Sequence, residues 1–191
     1  MGCNQNAKLG AKSPNGDNRM PMSPYGVTKL AAEHLCGLYD SEYGIPVVSP
    51  RLFTVYGPRQ RPDMAIRRFL GAALSGEPVE VYGDGKQTRD FTFVGDVVEA
   101  VIRLAQSPAT GPVNVGGGCC ISINGLLREL QVVTGKTAEV HYQEASKGDP
   151  QGTLADTSRL RAALGWTPAT DIGSGLRAFY EWHKRRKTVL G

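Results

Sequence analysis

Two stretches of the chain place a tyrosine four residues before a lysine: Tyr25 and Lys29 in "SPYGVTKLAAEHL", and Tyr180 and Lys184 in "YEWHK". On a helix, positions i and i+4 share one face, so either pair can bring a phenol and an ammonium group together. The chemistry open to such a couple is proton abstraction. A phenol titrates near 10, and serving as a base at neutral pH takes about 4 kcal/mol in favour of the phenolate; a cation in a partly dry cleft supplies much of that. Spacing alone does not choose between the two copies. With seven tyrosines in 191 residues and lysine at roughly one position in twenty, such a pair arises by chance in about one chain in three. Context separates them. Tyr180 and Lys184 stand among His183, Arg185, Arg186 and Lys187, where water is expected to screen the charges and Tyr180 to pack beside Phe179 or Trp182. Tyr25 follows Ser-Pro, neighbours small Gly26 and Thr28, and leads into an apolar face, which suits a cleft.

Other chemistry finds little support. His34, His141 and His183 are scattered and suggest no metal site. Cys3, Cys36, Cys119 and Cys120 form no C-x-x-C pair and follow no signal peptide, so neither zinc nor a disulfide framework is expected, and the default location is a reducing cytoplasm. No window approaches the 18 apolar residues of a membrane span. The start "MGCNQN" has Asn6 where a myristoylation signal wants Ser or Thr. A net charge of +4 gives mild attraction to anions, much of it from "HKRRK", read here as a solvated helix end whose cations suit the negative pole of the dipole. No aromatic residues interleave to suggest nucleic acid.

The elements that must position Tyr25 and Lys29 can be read from periodicity. Residues 1–22 carry turn formers and little apolar pattern and read as an irregular tail. Val27, Leu30, Ala31, His34, Leu35 and Leu38 recur at helical spacing, predicting a helix from Pro24 to about Tyr43. "PVVSPRLFTV" reads as a strand covered on both faces, with Pro50 demanding an edge or irregularity. Then come a helix over "DMAIRRFLGAALSG", strands "PVEVYG" and "RDFTFV", a helix "VGDVVEAVIRLAQS" with Asp96 near its positive end, and a strand "GPVNVGGG" entering a glycine turn. A helix "SINGLLRELQVVTG" capped by Ser122 or Asn124, a strand "AEVHYQ" and two helices, "DTSRLRAALG" and "IGSGLRAFYEWHKRR", follow. Strands alternating with helices predict an α/β chain with parallel pairing. The glycines of "YGDGKQ" and "NVGGG" read as turn residues rather than a phosphate cradle.

"SPYGVTKLAAEHL", "RLFTVYGPRQRPDMA", "VYGDGKQTRDFTFVGDVVEA", "NVGGG" and "LADTSRLRAALGWTP", in that order, resemble the NAD-dependent nucleotide-sugar epimerases and dehydratases of the extended short-chain dehydrogenase/reductase family. The resemblance runs from Ser23 to about Trp182. "FTVYGPRQRPDMA" is similar to UDP-glucose and UDP-glucuronate 4-epimerases more than to the 4,6-dehydratases. It implies the C-terminal part of a Rossmann-like parallel sheet, over residues 23–60 and about 94–118, with the rest of 23–191 mostly a small α/β substrate domain. Tyr25 is implied as the catalytic base and Lys29 as its partner, the lysine also holding the nicotinamide ribose of NAD. Phe53 matches the position that touches the nicotinamide end, and Thr54 a contact to the sugar nucleotide. Glu80, Val81 and Tyr82 match a strand facing the uracil, Arg89 the arginine that grips the diphosphate, and Asp149 a retained substrate position. An arginine fork fits phosphate oxygens bidentately. Each residue also has an ordinary role open to it: Phe53 and Tyr82 in packing, Arg89 in an ion pair with Asp84 or Asp90. The implied reaction takes the C4 hydroxyl proton of a UDP-sugar while hydride leaves C4 for NAD, and returns hydride to the other face of the 4-keto sugar. The complete form is implied to be a homodimer with no nucleic-acid or membrane partner. Reduction, dehydration and non-catalytic binding of a sugar nucleotide are the alternatives.

The chain departs from the family in three places. Members carry a G-x-x-G-x-x-G turn about a hundred residues before the tyrosine, which holds the cofactor pyrophosphate, whereas 24 residues precede Tyr25 here and contain none. Ser13 is too near to replace the family's upstream Ser or Thr, and the segment before Pro21 resembles nothing in the family. "EASKGDPQGTLAD" offers Lys147 and Gln151 where a further phosphate-binding arginine is usual. The N-terminal cofactor half is therefore expected to be missing, and the 191 residues alone to be inactive, without NAD and prone to self-association.

Overall fold

The computed structural model describes residues 23–118, 120–145 and 151–190. Residues 1–22 with Cys3 and Ser13, Cys119, Lys147 and the expected substrate residue Asp149 lie outside them. Helix α1 runs Pro24–Tyr43. Its bounds follow from local chemistry: the Ser23 hydroxyl accepts from the Gly26 amide at 3.1 Å, Pro24 sits where an N–H would be orphaned, and Gly44 at φ 63 ends the helix in the left-handed region. Strand β1 (Val48–Leu52) follows after a short turn. β2 (Val55–Tyr56), α2 (Ala65–Ser75), β3 (Val79–Tyr82), β4 (Thr88–Asp90), β5 (Thr92–Phe93) and α3 (Val94–Ala105) come next. Then β6 (Gly111–Val115), β7 (Cys120–Ser122), α4 (Ile123–Thr134), β8 (Val140–Gln143), α5 (Ser158–Leu164) and α6 (Ile172–Leu190) complete the order.

Three pairs are parallel, as the alternation predicts: β1 with β6, β2 with β5, and β3 with β8. The fourth, β4 with β7, is antiparallel. The sequence does not predict it, because the three residues of β7 carry too little pattern to be read as a strand. "RDFTFV" also divides into β4 and β5. Pro50 fits because the β1–β6 ladder uses the odd residues of β1, from the Val47 carbonyl accepting from Gly111 (2.8 Å) to the Phe53 amide donating to Val115 (3.1 Å). Its missing N–H therefore faces away from β6.

Two apolar cores result. Leu70 of α2, Leu126 of α4 and Leu176 and Phe179 of α6 close over Val81 of β3 and Tyr56 of β2. Val97, Ala100 and Leu104 of α3, Val113 and Val115 of β6 and Leu160 of α5 form the second. Thus α5, placed by sequence mostly with the substrate part, shares the core of the β1–β6 pair. The apolar face expected on α1 is not covered among the described residues: Val27, Leu35 and Leu38 are at least half exposed, and no residue of the helix is buried. His183, expected on a solvated helix end, is buried against Arg67, although Lys184 to Arg186 are exposed as expected. Among the described residues no helix is long and apolar enough to cross a membrane.

Asp90 ties the cores together. Fully buried, it accepts from the amides of Gly117 (2.8 Å), Gly118 (3.3 Å) and Ala155 (3.0 Å), while its own amide donates to the Thr153 hydroxyl at 3.3 Å. A Cβ at Gly116 would stand 2.8 Å from an Asp90 carboxylate oxygen and 2.3 Å from the Ala155 Cβ, so only glycine lets the turn close. Burial pushes the Asp90 carboxyl up and the three amides pull it down, burial prevailing. Asp90→Ala leaves the buried Ala155 amide unpaired and removes one acceptor from Gly117, which keeps the Thr92 hydroxyl, and from the exposed Gly118, and is expected to cost about 1–3 kcal/mol in urea unfolding. A raised folded value also sets a sign: the stability this group contributes is present below the ordinary aspartate value of about 3.9 and is lost as pH rises through its folded value. Wild type should accordingly gain on Asp90→Asn as pH falls from about 7 to about 4; a shrinking margin would contradict this.

Candidate functional site

Helix α1 is fastened to β1 by one strong contact. Arg51 donates to Glu33 through Nε (2.7 Å) and Nη2 (2.6 Å), a bidentate pair with side chains 34% and 21% exposed. The short 44–47 connection makes helix and strand antiparallel, so the N-terminus of α1 lies at the C-terminal end of β1. From the Glu33–Arg51 level, Lys29 is about 6 Å and Tyr25 about 12 Å up the helix. Phe53 and Thr54 continue the chain beyond the C-terminal end of β1, the end toward which Lys29 and Tyr25 also extend.

The Lys29 ammonium lies 5.4 Å from the Tyr25 ring centroid. The second pair has the same contact, with Lys184 at 5.0 Å from the Tyr180 ring. Ring contact, like spacing, therefore does not separate them; Tyr180 packs beside Phe179 and Trp182 as expected, but the cleft expected around Tyr25 is not formed by the described residues. Tyr25 is 71% exposed among the described residues, whereas Tyr180 is half-buried against the first core. The reason is that Tyr180 belongs to the helix that closes over α4, while α1 lies on the surface. Lys184 is further engaged by Glu181 at 3.2 Å. Among the described residues Lys29 forms no ion pair and lies beside the Tyr25 ring.

Thr54, Glu80, Val81, Tyr82 and Arg89 converge on one cavity of ≈ 200 Å³. They arrive from the β1–β2 connection, β3 and β4. Strand β3 alternates, Val79 and Val81 inward and Glu80 and Tyr82 outward. Its bonds to β8 run through the amides of Val79 (2.7 Å) and Gly83 just beyond it (2.9 Å), so the main-chain groups of Glu80 and Tyr82 face the opposite edge. Arg89 donates to the Thr88 carbonyl at 2.8 Å. Arg68, which also lines the cavity, lies 3.6 Å from Glu80. This set offers a strand edge for a planar amide-like ring and a guanidinium fork for an oxyanion. Tyr25, Lys29 and Phe53 are not in the cavity wall. Phe53, half-buried, extends the β1 ladder through its amide.

Sequence reading missed Arg68, Gln87, Phe91 and Ile123 in this wall. Gln87 and Phe91 stand inside "GDGKQTRDF" and were reachable from that block; Arg68 on α2 and Ile123 at the head of α4 have no local signal. A larger cleft of ≈ 310 Å³ between α2, α4 and β8 contains none of the expected residues. Among the described residues no group of three or more His, Cys, Asp or Glu could hold a metal ion.

The model of the NAD dependent epimerase/dehydratase family matches residues 6–116, beginning inside the segment read above as unlike the family. The uncharacterized UDP-glucose epimerase YtcB of Bacillus subtilis is 41% identical over 158 residues, covering 82% of this chain and 50% of that protein. A UDP-glucuronate 4-epimerase of Thermodesulfobacterium geofontis is 39% identical, covering 89% and 53%. The crystal structure of UDP-glucuronic acid 4-epimerase from Bacillus cereus, in complex with UDP-glucuronic acid and NAD, superposes with a TM-score of 0.84 at 38% identity, covering 93% of this chain and 58% of that one. The chain thus spans about half the length of the curated relatives it matches.

Proposed function

Because the chain belongs to the NAD-dependent epimerase/dehydratase family, we propose that it carries the acid–base pair and the substrate site of a UDP-sugar 4-epimerase. The observation that carries this reading is the convergence of Thr54, Glu80, Val81, Tyr82 and Arg89, chosen from separate motifs, on one cavity. Relatives named for UDP-glucuronate and UDP-glucose support the UDP-sugar class.

In this reading the strand edge at Glu80–Tyr82 takes the uracil and Arg89 the diphosphate, with Thr54 toward the sugar. Tyr25 takes the proton of the C4 hydroxyl and later returns it; Lys29 stabilises the phenolate and holds the nicotinamide ribose, with Phe53 against that end of the cofactor. NAD, when bound, supplies a reversible hydride acceptor. The homodimeric form and the role of Asp149 belong to the same reading. By itself the 191-residue chain binds UDP but turns over little, since water around a Tyr25 that is 71% exposed weakens the cation beside it.

Two measurements test this. In calorimetric titration of the chain with UDP, Arg89→Ala should lose about 1.5–3 kcal/mol, about ten- to a hundredfold in affinity; unchanged binding removes Arg89 from the site. In a version extended by the cofactor half of a relative, Tyr25→Phe should abolish nearly all interconversion of UDP-glucose with UDP-galactose or of UDP-glucuronate with its C4 epimer, and Tyr180→Phe should behave like the parent. Equal losses overturn the assignment, and brisk turnover by the unextended chain, about 1 per second or more, refutes the claim of low activity alone.

A further inference from the structure

The only carboxylate on α1 within one turn of Lys29 is Glu33, at i+4 on the same face. An acid at that spacing is the natural ion-pair partner of the lysine and thus a competitor of the Tyr25 ring. In the structure it does not compete. Both its oxygens are occupied by the Arg51 fork, at 2.7 and 2.6 Å, and the pair is partly withdrawn from water. The lysine lies instead over the tyrosine.

We propose that Arg51 is a positioning residue for the Tyr25–Lys29 couple: by holding both oxygens of Glu33 it denies that carboxylate to Lys29 and leaves the cation to the tyrosine. This rests on the acid–base reading above for its significance, though its geometry is independent of it. Planarity makes arginine suited to the task, since one guanidinium satisfies two oxygens at once where a lysine reaches one. β1 supplies it from the side that meets α1, so the contact that fastens the helix to the strand also protects the charge of the couple.

The two partners of the ion pair make different predictions. Were the pair only a strap, removing either end would disturb α1 alike. If Arg51 acts by sequestration, Arg51→Met releases Glu33 to Lys29, whereas Glu33→Gln removes the competitor altogether. The measurement is the nuclear Overhauser effect between the Lys29 ε-methylene and the Tyr25 ring protons in the 191-residue chain. Ring–cation contacts and exposed i,i+4 ion pairs are of similar strength, so Arg51→Met should weaken the signal about two- to fivefold. Glu33→Gln should retain it, and adding Glu33→Gln to Arg51→Met should restore it. Should Arg51→Met fail to fold, Arg51→Lys, which leaves one Glu33 oxygen open, should show the same ordering at smaller amplitude. Equal loss from Arg51 and Glu33 variants, or no loss from either Arg51 variant, overturns the proposal. Failure of the acid–base reading appears separately, as turnover surviving Tyr25→Phe in the extended version.

Discussion

A carboxylate shut away from water is tolerated only where it is fully hydrogen-bonded, and this chain builds its centre around one. Asp90 holds the amides of Gly117 and Gly118 beyond β6 and of Ala155 in the segment before α5. The Thr92 hydroxyl reinforces the clasp by accepting from Gly117 at 3.0 Å. Because β6 belongs to one apolar core and β5 abuts the other, these bonds join two bodies of side chains. The strand period then matters: with Asp90 turned inward, its predecessor Arg89 is turned to the other face, where the cavity lies. The side that Arg89 presents to the cavity is thus fixed by its buried neighbour.

Helix α1 is held quite differently. Among the described residues it buries none of its own, and it meets β1 through a bidentate ion pair. Such a pair, partly shielded, is worth more than an exposed one and has stricter geometry. It fastens the helix that bears the Tyr25–Lys29 couple without giving the couple cover. The same helix leaves Val27, Leu35 and Leu38 at least half exposed, and α3 leaves Val98, Val101 and Ile102 exposed. The cavity beside β3 and β4 is thus well formed, whereas the Tyr25–Lys29 face of α1 is wet.

Tyr56 shows how close the packing is where the chain does close on itself. Its hydroxyl meets the Ile172 carbonyl at 3.5 Å, and a Cβ on Gly175 would stand 2.0 Å from that oxygen. Burial, then the charges of Asp171 and Asp96, push this phenol well above its ordinary value. It remains a neutral packing group, as a tyrosine without a cation beside it should. Asp96 itself caps nothing on α3 but holds the Ala169 and Thr170 amides at 3.2 and 2.9 Å, tying the approach to α6 onto the other core.

What the sequence determined by itself is local. The start of α1 at Ser23-Pro24, the start of α4 to within Ser122 or Asn124 and the ends of helices at Gly44, Gly76, Gly135 and Gly165 were legible because caps are interactions within about four residues. The family was legible because its motifs are short and ordered. The tertiary structure alone decided which tyrosine is exposed and which half-buried, that His183 is buried, that α5 joins the β1–β6 core, that β4 meets β7 antiparallel, and that Arg68 and Ile123 reach the cavity of Arg89. Each of these depends on a partner tens of residues away. Periodicity reports that a face is apolar, but burial is a property of what arrives to cover it.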